Sequence, residues 1–271
     1  MLRDLTLGQY YPEESPIHRL DPRVKLAGTL VFIITLFFGQ SVWLYLGASL
    51  YLFIVIRLSR VPVRYIVRGL KTIVVLIMLS ALFNLFLTPG DLLVKLGPLT
   101  ITTQGLVTAV FMVIRLIYLI MGSSILTLTT TPNQLTDGME RGLSWLKVFH
   151  VPVHEIAMMM TIALRFIPIL VDETDKIIKA QKARGADFES GNIIQRAKAM
   201  IPILVPLFIS AFRRANDLAM AMEARCYHGS EGRTRMNPLI YTKNDKLAYF
   251  ALAAYFTLML LIYIILGSRV I

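Results

Sequence analysis

The chain has 271 residues, of which 56% are apolar and only 17% are charged, a composition typical of integral membrane proteins. Its net charge of +11 would suit a nucleic acid, an acidic partner or a membrane surface, so the placement of the charges has to decide between these. The single cysteine, Cys226, excludes an internal disulfide and any metal site built from several thiolates. The charged first 25 residues do not resemble a signal peptide, so we expect a cytoplasmic N-terminus.

The first apolar segment follows a helix-start signal. After a polar arm, Asp21 fits the N-cap and Pro22 the first helical position, where no hydrogen-bond donor is needed. Residues 26–56 contain no charge and are too many for one untilted crossing of a membrane core of about 30 Å. Residues 39–41, Gly-Gln-Ser, interrupt this run. The pattern therefore predicts two short crossings joined by a tight hairpin.

The next segment fixes the predicted orientation. Five positive charges and no acid follow the hairpin, and they are Arg57, Arg60, Arg64, Arg68 and Lys71. Because basic loops stay on the cytoplasmic side of a membrane, we expect this segment to be a cytoplasmic loop.

Two further crossings are predicted, over residues 72–87 and 105–128. The intervening loop carries only Asp91 and Lys95, as an outside loop should. Arg115 lies within the fourth crossing, where an arginine is costly unless it contacts the bundle, water or a partner.

The content of charged residues rises from residue 131 onward. Between residues 131 and 246, 16 Lys and Arg and 12 Asp and Glu are interleaved with apolar residues. We interpret this region as three cytoplasmic amphipathic helices that start at Pro132, after Pro152 and after Asn192, with Pro168 bending the second. A polar loop over residues 229–244 leads to a final crossing over 246–267. In an alternative topology residues 156–171 and 199–212 both span the membrane, which leaves the side of the C-terminus unchanged but places the end of the second amphipathic helix, near residue 184, outside.

A short signature occurs twice, 41 residues apart, at the predicted ends of the last two of these helices. Ala183-Arg184-Gly185 closes one helix and Ala224-Arg225-Cys226 closes the other. Gly185 suits the positive φ of a helix-ending residue. The five-crossing topology places both ends in the cytoplasm.

Two surfaces near these ends are candidates for contact with another subunit. Met158 and Met159 belong to a region rich in methionine, whose flexible side chain adapts to different partners, although core filling also explains it. Ala211, Ala215 and Ala219 form a stripe of small residues that lets another helix approach closely.

The sequence contains little that could carry chemistry. It has no G-x-x-x-x-G-K-[ST] motif, so it cannot bind a nucleotide in the P-loop manner. Asp172, Asp175 and Asp217 could hold magnesium in a membrane-embedded prenyl or phospholipid transferase, but the second acidic pair is incomplete. The alternative for these aspartates is a solvated helix face with i, i+4 ion pairs. We assign no catalytic residue, metal site or cofactor.

Taken together, these features resemble the transmembrane T-component of energy-coupling-factor (ECF) transporters. The resemblance covers essentially the whole chain and rests on Leu20-Asp21-Pro22-Arg23, the membrane hairpins, the long coupling helices and the paired Ala-Arg motifs. It departs from the commonest motif at Cys226, where glycine is expected. The resemblance implies that Arg184 and Arg225 each dock, with their neighbours Ala183, Gly185 and Ala224, on one of two cytoplasmic ATP-binding cassette ATPase subunits.

The resemblance further implies a non-enzymatic scaffold in the bacterial cytoplasmic membrane that serves uptake of vitamins or transition-metal ions. Its partners would be the two ATPases, a substrate-binding membrane subunit (S-component) and the lipid bilayer, with no nucleic acid. We expect an all-α membrane protein with about five transmembrane helices and three amphipathic coupling helices, the last two long and crossing. The expected parts are a four-crossing membrane domain (1–130), a coupling domain (131–245) and a terminal crossing (246–271). The rival functions are the magnesium-dependent transferase and a permease that works alone.

Overall fold

The computed structural model describes residues 10–96, 99–186, 188, 192–229 and 238–266. Residues 1–9 of the predicted N-terminal arm and residues 230–237 of the predicted polar loop lie outside the described residues. The main elements, in chain order, are α1 (Pro22–Thr35), α2 (Val42–Ser59), α3 (Val63–Leu87), β1 (Leu92–Leu96), β2 (Leu99–Thr102), α4 (Thr103–Thr129), α5 (Pro132–Gly142), a 3₁₀ turn (Ser144–Phe149), α6 (Val153–Ala183), α7 (Ile193–Glu223) and α8 (Lys243–Leu266).

The predicted start of the first helix is confirmed. Pro22 is the first residue of α1, and the Asp21 carboxylate accepts a hydrogen bond from the backbone N–H of Arg23 at 2.9 Å. The chain leaves the helix after Thr35 and re-enters it at Val42, so the break lies where Gly39 to Ser41 predicted it. With 14 residues, α1 is shorter than a full crossing of the membrane core.

The basic segment expected as a loop is largely helical, and that part of the prediction is wrong. Helix α3 begins at Val63, directly after Pro62, and bends by 62° between Val63–Lys71 and Ile73–Leu87. The residues from Val63 to Lys71 include no proline, so nothing in their covalent structure prevents a helix. Arg64, Arg68 and Lys71 therefore lie on the helical segment Val63–Lys71, which precedes the apolar half of α3, and Arg57 lies in the last turn of α2.

The expected outside loop contains a short antiparallel β-hairpin of β1 and β2, which the sequence pattern did not predict. Its base is tied to α4 by side chains. The Gln104 Oε1 accepts a hydrogen bond from the Asp91 backbone N–H at 2.7 Å, and the Thr102 hydroxyl accepts one from the Gly105 N–H at 2.9 Å. These two hydrogen bonds thus hold the end of the hairpin against the start of α4.

By length and hydropathy, five helices could cross a membrane, namely α2, α4, α6, α7 and α8, and the bent α3 would be a sixth. The number agrees with the predicted all-α membrane protein, but the set of helices differs. Helices α6 and α7 qualify because each contains an apolar window of 18 residues with no more than two charged residues. A topology in which α6 and α7 cross the membrane is the alternative given above to the five predicted crossings.

The contacts divide the described chain into two compact units. One contains residues 10–139 and 239–266, with a core between α1, α2, α4 and α8 in which Phe32, Ala48 and Met259 are fully buried. The other contains residues from 140 to 238, chiefly α6 and α7.

Arg115 has its partners inside the first of these units. Its Nε donates to the Tyr45 hydroxyl at 3.1 Å, and its guanidinium lies 5.3 Å from the centre of the Phe37 ring. The side chain therefore makes an ordinary contact within the helix bundle.

Candidate docking site at two arginine helix ends

The first Ala-Arg motif closes α6 with a Schellman arrangement. Gly185 follows the helix with a φ of +87°, and its N–H donates to the Lys182 carbonyl at 3.0 Å. The next N–H, of Ala186, reaches back to the Gln181 carbonyl at 3.0 Å. These two bonds satisfy carbonyls that a helix end otherwise leaves unpaired. The positive φ predicted for Gly185 is confirmed.

The second motif closes α7 with the same arrangement. Cys226 has a φ of +57°, and its N–H donates to the Glu223 carbonyl at 2.8 Å. The N–H of Tyr227 donates to the Met222 carbonyl at 3.0 Å. Every donor and acceptor of the first motif therefore has its counterpart 41 residues later. Cysteine adopts the left-handed conformation that glycine usually provides, so the departure from the commonest motif leaves the helix end unchanged.

Both arginine ends are open to their surroundings. All five predicted docking residues are exposed, and they are Ala183, Arg184, Gly185, Ala224 and Arg225. No atom lies within 4 Å of the position that a Cβ would take at Gly185. Neither the Arg184 nor the Arg225 guanidinium makes an ion pair or hydrogen bond with another residue that the structure describes. A guanidinium with five free donors at a helix end can receive a carboxylate in a bidentate bond.

Helices α6 and α7 run antiparallel to each other. The Arg214 guanidinium on α7 lies 3.0 Å from the Glu173 carboxylate on α6, and the Gln181 side chain donates to the Pro202 carbonyl at 3.4 Å. The contact partner of the later α6 residue, Gln181, therefore comes earlier in α7 than the partner of Glu173. Because the helices run in opposite directions, Arg184 and Arg225 lie at opposite ends of the pair.

The predicted contact residues for another membrane subunit differ in exposure. Met159 is 57% exposed, whereas Met158 and Ala211 are half-buried. Ala215 and Ala219 are exposed. The structure thus brings only part of the predicted alanine stripe to the open face of α7.

Two aromatic residues that were not among the predicted contacts, Phe208 and Phe212, also lie on this open face of α7. Phe208 is 61% exposed and Phe212 is 69% exposed. They belong to an apolar line that alternates steps of four and three along α7, which we call the α7 seam: Ile201, Val205, Phe208, Phe212, Ala215 and Ala219. This spacing places all six on one side of a helix and was visible in the sequence.

The acidic residues considered for a magnesium site do not form one. Among the described residues, which include Asp172, Asp175 and Asp217, no three acidic, histidine or cysteine side chains converge on a point where a metal ion could bind. The neighbouring Glu173 instead pairs with Arg214. His154 has its Nδ1 2.9 Å from the Glu140 carboxylate.

Comparison with known proteins agrees with this architecture. Residues 13–236 match the family CbiQ, described as cobalt transport protein. An energy-coupling factor transporter transmembrane protein EcfT of Thermosediminibacter oceani is 53% identical over 250 residues, covering 92% of this chain and 94% of the relative. The proteins of the same name from Ruminiclostridium cellulolyticum and Bacillus subtilis are 54% and 46% identical, covering 91% and 90% of this chain and 92% and 93% of the relatives. The chain therefore belongs to the family of energy-coupling factor transporter transmembrane proteins, the T-components named EcfT.

Proposed function

We propose that this T-component is a non-enzymatic scaffold that links two cytoplasmic ATPase subunits to a substrate-binding membrane subunit. The observation that carries the proposal is the pair of identical, exposed helix ends at Arg184 and Arg225. Two equal ends at opposite extremities of one helix pair suit two similar partners better than one. The absence of a P-loop motif from the sequence means that ATP would be hydrolysed by those partners.

The chemistry of the arginine favours a carboxylate in each partner. A planar guanidinium forms two parallel bonds with a carboxylate, and lysine cannot reproduce that fork. Truncating one member of a desolvated charged pair typically costs about 2 to 5 kcal/mol. Loss of either arginine should therefore be enough to weaken the assembly measurably.

The orientation follows from the charges. Arg57, Arg60, Arg64, Arg68 and Lys71 place the segment between α2 and the apolar half of α3 on the cytoplasmic side by the positive-inside rule. In the proposed topology α6 and α7 do not cross the membrane, so the N-terminus and the coupling region 131–245, which holds both arginine ends, lie on that side. Both ends would then face cytoplasmic partners of a bacterial membrane protein.

The substrate-binding subunit would pack on the α7 seam. Its aromatic half, with Phe208 and Phe212, offers large apolar surface, and its alanine half allows close approach of another helix. Met159, an exposed residue of α6, offers a further adaptable side chain. The substrate, a vitamin or a transition-metal ion, would be chosen by that separate subunit.

Charge reversal at the helix ends tests ATPase docking. Arg184→Glu and Arg225→Glu, expressed with the two ATPase subunits, should each weaken co-purification, and the double variant should abolish it. The matched controls are Arg165→Glu on α6 and Arg213→Glu on α7, since both are exposed arginines away from the helix ends. Full retention of ATPases and transport by the double variant would refute the docking role.

A bulky substitution on the seam tests the second contact. Ala215→Phe should reduce retention of the substrate-binding subunit while leaving the ATPases bound. Ala221→Phe is the control, because Ala221 is also exposed on α7 but lies about 120° around the helix at 100° per residue. Equal retention by both variants would remove the seam from the proposal.

A further inference from the structure

A large apolar groove lies within the first unit, between α1, α2, α4 and α8. Its volume is about 690 Å³, within the range of small-molecule and cofactor sites. Along α8 its wall extends from Asn244 to Leu258, which is about 21 Å at 1.5 Å per residue. One leaflet of a membrane core of about 30 Å is about 15 Å deep, so the groove has the length of a lipid chain.

The groove opens sideways along its rims. Leu50, Leu58 and Leu247 line it and are 62%, 45% and 68% exposed, respectively. An apolar side opening of this kind suits a hydrocarbon chain that enters from the surrounding bilayer, whereas water would find few polar partners there.

The few polar groups of the groove are concentrated toward one end. Lys25 lines it, is 7% exposed, and its ammonium donates to the carbonyls of His18 and Thr129 at 3.0 and 2.9 Å. An ammonium has three donors, and the described residues supply no third acceptor for this one.

Tyr51 lies about one helical turn deeper than Lys25. Its oxygen is 3.4 Å from the position that a Cβ would take at Gly28, which is three residues beyond Lys25 on α1. Among the described residues, the Tyr51 hydroxyl makes no hydrogen bond. One end of the groove thus presents an unused N–H and an unused O–H above an apolar channel.

A smaller cavity of about 320 Å³ continues from that end, since Pro16 and Asn244 line both spaces. Its charged side chains are Arg19, Arg60 and Glu14, and Arg19 is already paired with Glu14 at 2.6 Å. Arg60 is exposed, and among the described residues its guanidinium hydrogen-bonds only to the Glu14 carbonyl, at 3.4 Å. The charged side chains that line this smaller cavity therefore carry a net positive charge. Basic pockets between transmembrane helices are suited to anionic lipid head groups.

We propose that this groove is a binding site for an anionic phospholipid, with one acyl chain between α1, α2 and α8 and the phosphate at the mouth formed by Lys25 and Arg60. The Tyr51 hydroxyl then donates to an ester carbonyl of the lipid, one turn below the phosphate. This site is separate from the arginine ends and the α7 seam, and it does not depend on the proposed docking partners.

Photolabelling of the full-length chain tests the proposal. The chain is reconstituted into phosphatidylcholine vesicles that contain a small fraction of phosphatidylglycerol with a diazirine at the end of one acyl chain. Irradiation and peptide mapping should place the label on the lining segments of α1, α2 and α8. Ala251→Phe narrows the groove and should remove most of this label, whereas Ala253→Phe, an exposed alanine of α8 outside the groove, should not.

A second pair of variants tests the head group. Arg60→Gln should weaken competition by unlabelled phosphatidylglycerol about fivefold, the effect of one basic residue at an anionic lipid surface. Arg64→Gln is the control, because Arg64 is exposed and lines neither cavity. Labelling that persists in Ala251→Phe, or that is as strong with a phosphatidylcholine or free fatty acid probe, would overturn the assignment.

Discussion

Gly185 and Cys226 hold the same left-handed backbone conformation at the ends of two different helices, with φ of +87° and +57°. Glycine adopts this conformation without steric cost, whereas a residue with a Cβ loses about 1 to 2 kcal/mol. The second helix end is therefore formed at an energetic disadvantage that the first does not carry.

Cys226→Gly should stabilise the end of α7. Relief of about 1 to 2 kcal/mol is partly offset by the greater backbone entropy of glycine in the unfolded chain, which leaves a gain of about 0.5 to 1 kcal/mol. The gain would appear as an increased free energy of unfolding in detergent. Gly185→Ala is the reciprocal variant and should destabilise. A lower stability for Cys226→Gly would show that the thiol makes a contact worth more than the strain.

Asp245→Ala should destabilise the first unit by about 3 kcal/mol, because it leaves buried hydrogen-bond donors without an acceptor. The Asp245 carboxylate is 1% exposed and accepts from the backbone N–H of Asp21 at 2.8 Å and from the N–H and hydroxyl of Thr242, each at 2.7 Å. It thereby ties the start of α8 to the N-cap of α1. Thermal unfolding measures the loss, with the exposed Asp217→Ala as control. A negligible change would mean that water replaces the carboxylate.

Lys25 should make stability depend on pH in the alkaline range. Burial lowers the pKa of its ammonium to about 8, against the attraction of Asp21 and Asp245, from an ordinary value of 10.5. The unfolded chain therefore holds more protons between these two values, so the contribution of Lys25 to the free energy of unfolding rises as pH rises through that window.

The measurement is the difference in unfolding free energy between the wild type and Lys25→Met as a function of pH. Since other titrating groups are common to both proteins, the difference isolates Lys25. It should be constant below pH 8 and grow in favour of the wild type up to about pH 10.5. Parallel curves would show that the ammonium is not desolvated in the folded protein.

Charge exchange across α6 and α7 should reveal their coupling. Glu173→Arg and Arg214→Glu each place like charges together and should destabilise the pair, while the double variant should recover part of the loss. The two side chains are 27% and 40% exposed, so we expect a coupling of about 0.5 to 1 kcal/mol. Additive effects of the two single variants would show that the ion pair does not hold the helices in register.

Local signals predicted much of this fold. The N-cap at Asp21, the break near Gly39 and the positive φ of Gly185 follow from backbone chemistry within a few residues of each site. Residue type alone did not predict the same helix end at Cys226, where glycine is expected, because the two hydrogen bonds that hold this end are made by the backbone.

The features that the sequence could not predict depend on distant residues. The β-hairpin depends on pairing between two segments of only five and four residues, and the bend in α3 lies where no proline marks it. The partner of Arg115 is 70 residues away on α2. The α7 seam is the exception, since its alternating spacing of four and three residues is present in the sequence and extends beyond the spacing of four between the alanines.

The ion pair between Glu173 and Arg214 has a mechanical consequence for the coupling pair. Arg184 is 11 residues beyond Glu173 and Arg225 is 11 residues beyond Arg214, so each end lies about 16 Å along its helix from the bridge. The two arginine ends are therefore equally distant from the ion pair and lie on opposite sides of it. Under the proposed docking, a rotation of the helix pair about this point would displace both ends by the same amount.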